Sequence, residues 1–367
     1  MSTFFFDKNN CLVSISNAIL YHFTKQSFHT PHPKLMEILG KNKYDKVILM
    51  LFDGYGKSIQ ERYLTKSDFI FRKKAFEITS VFPPTTVAAT TAVCSGKFPV
   101  ETGWLGWRQY FKNHSVVVDM FTNNNSESGE KINGPFLSSV YCDYPKIWEI
   151  LEEHNIKAGC LYPYPIDPSG PKSLDEFFQI ADVLMKKEGP HFYYMYNPEP
   201  DHTIHEFGTE DERVLHISKD INRKVYKLAK DNKDNLIIVL ADHSLINTTF
   251  FNIKEHDDFF STLITVSSLD SRSAFFHIKE NCKEKFVELF NKYYGDHFLL
   301  LSKQEVIDQQ WFGEGSSHPM FEDFLGEYMA TSISKYGFSF EDESPMIGAH
   351  SGSLEEESII NVAIINK

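Results

Sequence analysis

Four short motifs, far apart in the chain, carry the residue types of a metal centre. They are Asp53-Gly54, Asp201-His-Thr-Ile-His205, Ala-Asp242-His243 and Gly348-Ala-His350-Ser-Gly352. Setting His202 aside, they offer three aspartates and three histidines with no cysteine. Hard carboxylate and imidazole donors of this kind suit a divalent ion, Zn²⁺ first and Mn²⁺ second. Asp201 and His205 are spaced so that in a helical turn both face one side. Taken singly, each motif has a plainer use: Asp-Gly after a strand is usually a turn, and an Asp-His pair is usually structural. The conjunction of all four carries the reading. His202 is offset from its neighbours and points elsewhere, in a supporting role at most. His22, His29, His154, His216, His256 and His297 have no partner pattern and read as surface residues.

A fifth segment, residues 80–96, reads SVFPPTTVAATTAVCSG. Its prolines stop a strand, Thr85 or Thr86 caps a helix, the alanines propagate it, and Gly96 ends it. A helix N-terminus presents free N–H groups and the positive end of a dipole, both suited to phosphate. A threonine hydroxyl there is placed to attack phosphorus once a metal lowers its pKa. The plainer use of such a threonine is as an N-cap.

The elements that must position these residues follow from apolar patterning. Short apolar runs predict strands at Lys46–Phe52, Lys157–Leu161, 191–196, 235–240 and 361–365. Helical periodicity falls at 146–154, 173–187 and 210–231. This alternation predicts an α/β domain with a mainly parallel sheet, whose C-terminal strand edge is where ligands bind. Further on, a strand at 273–278, a helix at Lys283–Tyr294 and a strand at Phe298–Ser302 predict a small α/β cap inserted at 246–334. The core is then 1–245 plus 335–367. Residues 122–134, rich in Asn, Ser and Gly, read as a surface loop.

The 367 residues are 42% hydrophobic and 24% charged, as in soluble globular chains, which excludes disordered, collagenous and coiled-coil classes. Lys+Arg 37 against Asp+Glu 50 gives −13, a surface that repels duplex nucleic acid. The N-terminus lacks the basic and apolar regions of a signal peptide, and no apolar run approaches a membrane span. Five widely spaced cysteines without a C-x-x-C pair predict reduced thiols and a cytoplasmic protein.

In order along the chain, these motifs resemble the nucleotide pyrophosphatase/phosphodiesterase branch of the alkaline phosphatase superfamily. The resemblance runs through Asp53-Gly54, Phe82-Pro-Pro-Thr-Thr86 with Ser95-Gly96-Lys-Phe-Pro99, Pro200-Asp201 to His205, Ala241-Asp242-His243, and Gly348-Ala-His350-Ser-Gly352. It implies an alkaline-phosphatase-like three-layer α/β sandwich. It also implies two divalent metals, one held by Asp53, Asp242 and His243 and touching the Thr86 oxygen, the other held by Asp201, His205 and His350. Counting back from Ser95-Gly96 puts the nucleophile at Thr86, with Thr85 as the fallback, and implies a phospho-threonine intermediate later attacked by water. The implied substrate is a small phosphodiester or nucleotide-like molecule. Around it, Trp107, Arg108, Tyr162 and Tyr164 are the expected pocket residues, although ordinary packing also accounts for the tryptophan. The family's Phe-Pro-Asn after the nucleophile is absent: Val87-Ala88-Ala89 stands there, leaving Thr90 or backbone N–H groups to bind the phosphoryl oxygen. A phosphomonoesterase or phosphonate hydrolase on the same core is the alternative. A non-catalytic metal- or phosphate-binding protein is the third reading, opposed by the full set of ligands.

Overall fold

The computed structural model describes residues 6–42, 44–340 and 346–366. Its central sheet has six strands in the order Lys74–Thr79, Ile359–Ile365, Leu236–Leu240, Lys46–Phe52, His191–Asn197, Lys157–Leu161. The last four are mutually parallel, and Ile359–Ile365 runs antiparallel to both its neighbours. Near-continuous Val, Ile, Leu and Met runs are what a sheet covered on both faces requires. Lys46–Phe52 and Leu236–Leu240 are accordingly buried along almost their whole length.

Strand register shows which helices cover which face. Tyr194 lies opposite Leu49, and Asn197 opposite Phe52, so Tyr194 and Phe52 point to opposite faces. Trp148 of helix Ile147–Glu153 stacks on Tyr194, with ring centroids 5.8 Å apart. On the other face, Phe177 and Phe178 of helix Leu174–Met185 pack on Phe52 at 6.2 Å. The result is the three-layer sandwich.

A second, antiparallel sheet has seven strands, in the order Phe298–Ser302, Tyr328–Ser332, Ser273–Phe276, Ser268–Leu269, Arg108–Phe111, Val116–Asp119, Asn124–Asn125. Helix Lys283–Tyr294 lays Phe286, Phe290 and Tyr294 on it, against Phe276 and Phe338, to form a separate aromatic core. The expected insertion at 246–334 supplies only part of this sheet. Its other strands come from 108–125, including Asn124–Asn125 inside the stretch read as a loop. They join through a single register pair, Leu269 opposite Arg108. So distant a pairing leaves no local pattern, and a boundary drawn at 246 cuts across the sheet. Among the described residues no helix is long and apolar enough to cross a membrane.

Candidate active and metal site

The motifs converge at the C-terminal edge of the central sheet. Because Lys46–Phe52 lies between the strands that precede Asp201 and Asp242, the three aspartates leave neighbouring strand ends. The Asp53 N–H donates to the Asn197 carbonyl at 2.9 Å, and the Asp201 N–H to the Asp53 carbonyl at 3.1 Å. Gly54 turns the chain at φ +66°, and its N–H donates to Asp242 Oδ1 at 3.1 Å. A Cβ there would stand 2.4 Å from Leu245 Cδ1 and 2.9 Å from Asp201 Cβ. Glycine is therefore required both for the turn and for the approach of Asp201.

Asp201 opens helix Asp201–Phe207, which brings His205 Nε2 to 3.1 Å from Asp201 Oδ2. His350 Nε2 is 4.0 Å from Asp201 Oδ1. His243 Nε2 lies 3.5 Å from Asp53 Oδ1 and 3.4 Å from Asp242 Oδ2. Donor atoms of Asp201, His205 and His350 fall within 4.8 Å of one another, as do those of Asp53, Asp201 and His243. Asp201 therefore stands between the two sets. Each histidine directs Nδ1 at a backbone carbonyl: His205 at Gly348 (2.8 Å), His350 at Pro84 (3.1 Å) and His243 at Ser244 (3.3 Å). With Nδ1–H donating outward, the Nε2 lone pair faces the cluster, the arrangement of metal-bound imidazole.

The electrostatics also call for cations. Burial, then Asp242 and Asp201, push the Asp53 carboxyl well above the usual carboxylate range. Burial, then Asp201, raise Asp242 to about 7. Burial would raise Asp201 as well, but His205, His350 and His243 hold it below its ordinary value. His205 is pulled down by burial, yet Asp201 lifts it to about 9. Burial brings His243 to about 4 and His350 to about 3. Asp201 Oδ1 and Asp242 Oδ2 are buried and, among the described residues, accept no hydrogen bond. Clustered buried carboxylates with unsatisfied oxygens are costly unless a cation takes up the charge. The donor set therefore fits divalent metal.

Thr86 begins helix Thr86–Ser95, which ends at Gly96 in the left-handed conformation. Its Oγ1 lies 3.2 Å from His243 Nε2 and 3.4 Å from Asp53 Oδ2. Thr85 occupies the N-cap position with extended backbone but makes no side-chain cap. Its hydroxyl donates instead to Asp270 Oδ2 at 2.6 Å. Among the described residues, the first-turn N–H groups at Thr86, Val87 and Ala88 thus have no side-chain partner. The Thr90 hydroxyl donates to the Thr86 carbonyl and is spent within the helix.

The expected pocket residues have varied surroundings. Trp107 is exposed and meets Phe121 edge-on at 5.7 Å. Arg108 opens its strand in the second sheet, 5.5 Å over the Phe340 ring. Burial lowers its pKa, while Asp270 and Asp119 support its charge. Tyr162 packs against Tyr194 and Tyr196, and its hydroxyl is 3.6 Å from Cys94 Sγ. Tyr164 is exposed beside Lys172. His202 is exposed on the outer side of its helix.

Four residues at or behind the site were not singled out from the sequence. The Tyr196 hydroxyl donates to Asp53 Oδ2. Asp270 engages Thr85. Arg272 and Glu357, each 0% exposed, form a bidentate pair with Nε–Oε1 2.7 Å and Nη2–Oε2 2.9 Å. Glu357 Oε1 also accepts the Gly352 N–H at 2.8 Å, and the Arg272 N–H donates to Ser351 Oγ at 3.1 Å. The pair thereby ties the second sheet to the loop bearing His350. Strand-end position could have drawn attention to Tyr196; the other contacts join distant segments.

Comparison with known proteins identifies the family and the fold. A family profile described as type I phosphodiesterase/nucleotide pyrophosphatase matches residues 47–353. The chain belongs to that family. Its members are metal-dependent phosphoric ester hydrolases, and the chain is an enzyme of this class. Human ectonucleotide pyrophosphatase/phosphodiesterase 5 matches in structure with a TM-score of 0.65 at 16% identity, over 88% of each chain. The murine protein matches at 0.64 and 17% identity, over 87% of each chain. An inactive variant of the murine protein in complex with AMP gives 0.64 and 16% over the same shares. No curated protein sequence matches. At such identities the structural likeness speaks for the fold, and the phosphodiesterase profile for the class of chemistry.

Proposed function

We propose that this family member is a two-metal phosphodiesterase that uses Thr86 to cleave a small, nucleotide-like phosphodiester. The observation that carries the reading is the Thr86 hydroxyl, at a helix N-terminus and within 3.2 Å of His243 and 3.4 Å of Asp53. Asp53, Asp242 and His243 would hold one divalent ion, and Asp201, His205 and His350 the other, zinc first and manganese second. When bound, such ions supply Lewis acidity to the nucleophile and the phosphoryl oxygens. The chain's own groups do the rest. The N–H groups of Thr86, Val87 and Ala88 receive phosphoryl oxygens, the work left to the backbone by Ala89 and by the engaged Thr90 hydroxyl. Thr86 gives its hydroxyl proton to solvent and forms an Oγ–P bond as the bond to the leaving oxygen breaks. The leaving group departs as an alcohol after taking a proton from solvent. Water then opens the phospho-threonine, releasing the monoester and restoring Thr86. Fixing Asp53 through Tyr196, and each imidazole through a carbonyl, keeps the cluster in place for both steps. AMP in the murine relative supports a nucleotide-like substrate.

A monoesterase or phosphonate hydrolase on the same core is the second reading, favoured by Ala89 where the family carries asparagine. Initial rates on bis-p-nitrophenyl phosphate and p-nitrophenyl phosphate, with Zn²⁺ or Mn²⁺ supplied, separate the two. Thr86→Ala is expected to keep its metal while losing turnover by at least about a hundredfold. Full activity in that variant would move the nucleophile to Thr85 or to water.

A further inference from the structure

The rim of the site carries a carboxylate that metal binding does not use. Asp270 is 9% exposed and sits at the tip of the second sheet, just after strand Ser268–Leu269. One oxygen accepts the Thr85 hydroxyl at 2.6 Å, and the other accepts the Ser271 N–H at 2.6 Å. Thr85 adjoins the proposed nucleophile. The preceding residue, Pro84, receives Nδ1 of His350. Asp270 thus borders both the nucleophile helix and the Asp201/His205/His350 group, and its charge is felt at His205 and His350. Among the described residues it forms no ion pair. Arg108, in register with Leu269, is the cation that feels Asp270, but it also answers to its cross-strand partner Asp119.

We propose that Asp270 is a specificity-determining residue that places a negative charge beside the phosphoryl site and so disfavours phosphomonoester dianions relative to phosphodiester monoanions. Resting on the reading of this site as a phosphoryl-transfer centre, it names the substrate class within that reading. The physical argument is repulsion: a fixed charge in a partly dehydrated pocket acts about twice as strongly on a dianion as on a monoanion. Discrimination then needs no contact with the second ester group. The Asp270–Thr85 hydrogen bond also keeps the Thr85 hydroxyl away from the helix N-terminus, leaving the first-turn N–H groups for substrate.

The test compares Asp270→Asn with Thr85→Val in the metal-loaded protein. Asparagine is isosteric: its oxygen keeps the Ser271 N–H, and its amide N–H faces Thr85 Oγ1, which can accept it, whereas valine removes the hydrogen bond and leaves the charge. In Asp270→Asn the ratio of kcat/KM for p-nitrophenyl phosphate to that for bis-p-nitrophenyl phosphate is expected to rise about tenfold or more. In Thr85→Val that ratio is expected to stay within about threefold of its starting value. The second readout is equilibrium binding at pH 8, where inorganic phosphate is mostly dianionic and dimethyl phosphate is a monoanion. Asp270→Asn is expected to tighten phosphate about tenfold and to change dimethyl phosphate much less. Unchanged phosphate affinity, or equal shifts in both variants, overturns the proposal. If the parent protein hydrolyses neither ester, the catalytic reading falls, and the phosphate titration still decides the role of the Asp270 charge.

Discussion

Replacing Arg272 by methionine isolates the clamp between the second sheet and the His350 loop. Arg272 and Glu357 are both fully buried, and the guanidinium also donates to the carbonyls of Tyr336 (2.9 Å) and Ser334 (2.8 Å). Methionine fills much of the volume but, among the described residues, leaves the Glu357 carboxylate with only the Gly352 N–H as donor. Breaking a buried pair by removing one partner costs about 3–5 kcal/mol, because the other charge stays uncompensated. Unfolding entropy near 2.1 cal/mol/K per residue, over 367 residues, gives roughly 0.8 kcal/mol/K, so the expected fall in Tm is about 4–6 °C. The double variant Arg272→Met/Glu357→Leu removes both charges and is expected to recover at least half of that loss. Differential scanning calorimetry of the parent, both single variants and the double variant gives the coupling directly. Metal content per chain, measured alongside, is expected to fall in the single variants, since Gly352 and Ser351 lie next to His350. A double variant as costly as the two single changes added together would refute the reasoning, as would an Arg272→Met protein that melts with the parent.

Two further outcomes follow from the same physics. Chelating the metal is expected to lower Tm by about 3–4 °C if the ion is present at a hundred times its dissociation constant, equivalent to about 2.7 kcal/mol. Restoring Zn²⁺ should reverse the shift, and a melting curve indifferent to both treatments counts against the site. The second concerns acid stability. His277 packs against Tyr110 with the rings tilted, bonds Ser268 Oγ at 2.9 Å, and is held by burial at about 3. Its folded pKa lies below the unfolded value near 6.5, so between those limits the unfolded chain binds more protons and stability falls as pH drops. This amounts to about 2 kcal/mol between pH 7 and pH 5. His277→Gln should lose correspondingly less over that interval in urea titrations, and identical slopes would dismiss the buried imidazole as the cause.

The legible parts of this molecule were those whose geometry is local. Lys46–Phe52 and its parallel neighbours stand out because apolar runs bounded by turns need no partner to be recognised. Asp53, Asp242 and the Asp201/His205 spacing follow, since a strand end or a helical turn fixes where each side chain points. The helix starting at Thr86 was legible from its prolines, alanines and glycine. What escaped is held together by long-range pairing. Leu269 meets Arg108, Asp270 meets Thr85, and Arg272 meets Glu357, each across a stretch of chain that leaves no periodic trace. Strand Lys74–Thr79 escaped for a related reason: Lys74, Glu77 and Thr79 interrupt its apolar residues, and it stands at the sheet's edge.

Helix Leu12–Thr24 precedes the region matched by the family profile, yet it backs the helix that Thr86 opens. Ser16 donates to the Val93 carbonyl at 2.7 Å, and the Asn17 amide reaches the Gly96 carbonyl at 2.7 Å. Its carboxamide oxygen meanwhile accepts the N–H groups of Phe28 and His29. A shortened chain begun at the first matched residue would therefore strip the Thr86 helix of its backing and open its apolar underside to water. The part of this enzyme that is recognisable by descent is smaller than the part that must fold together. Protein made to the homology boundary would be expected to aggregate before its chemistry could be assayed.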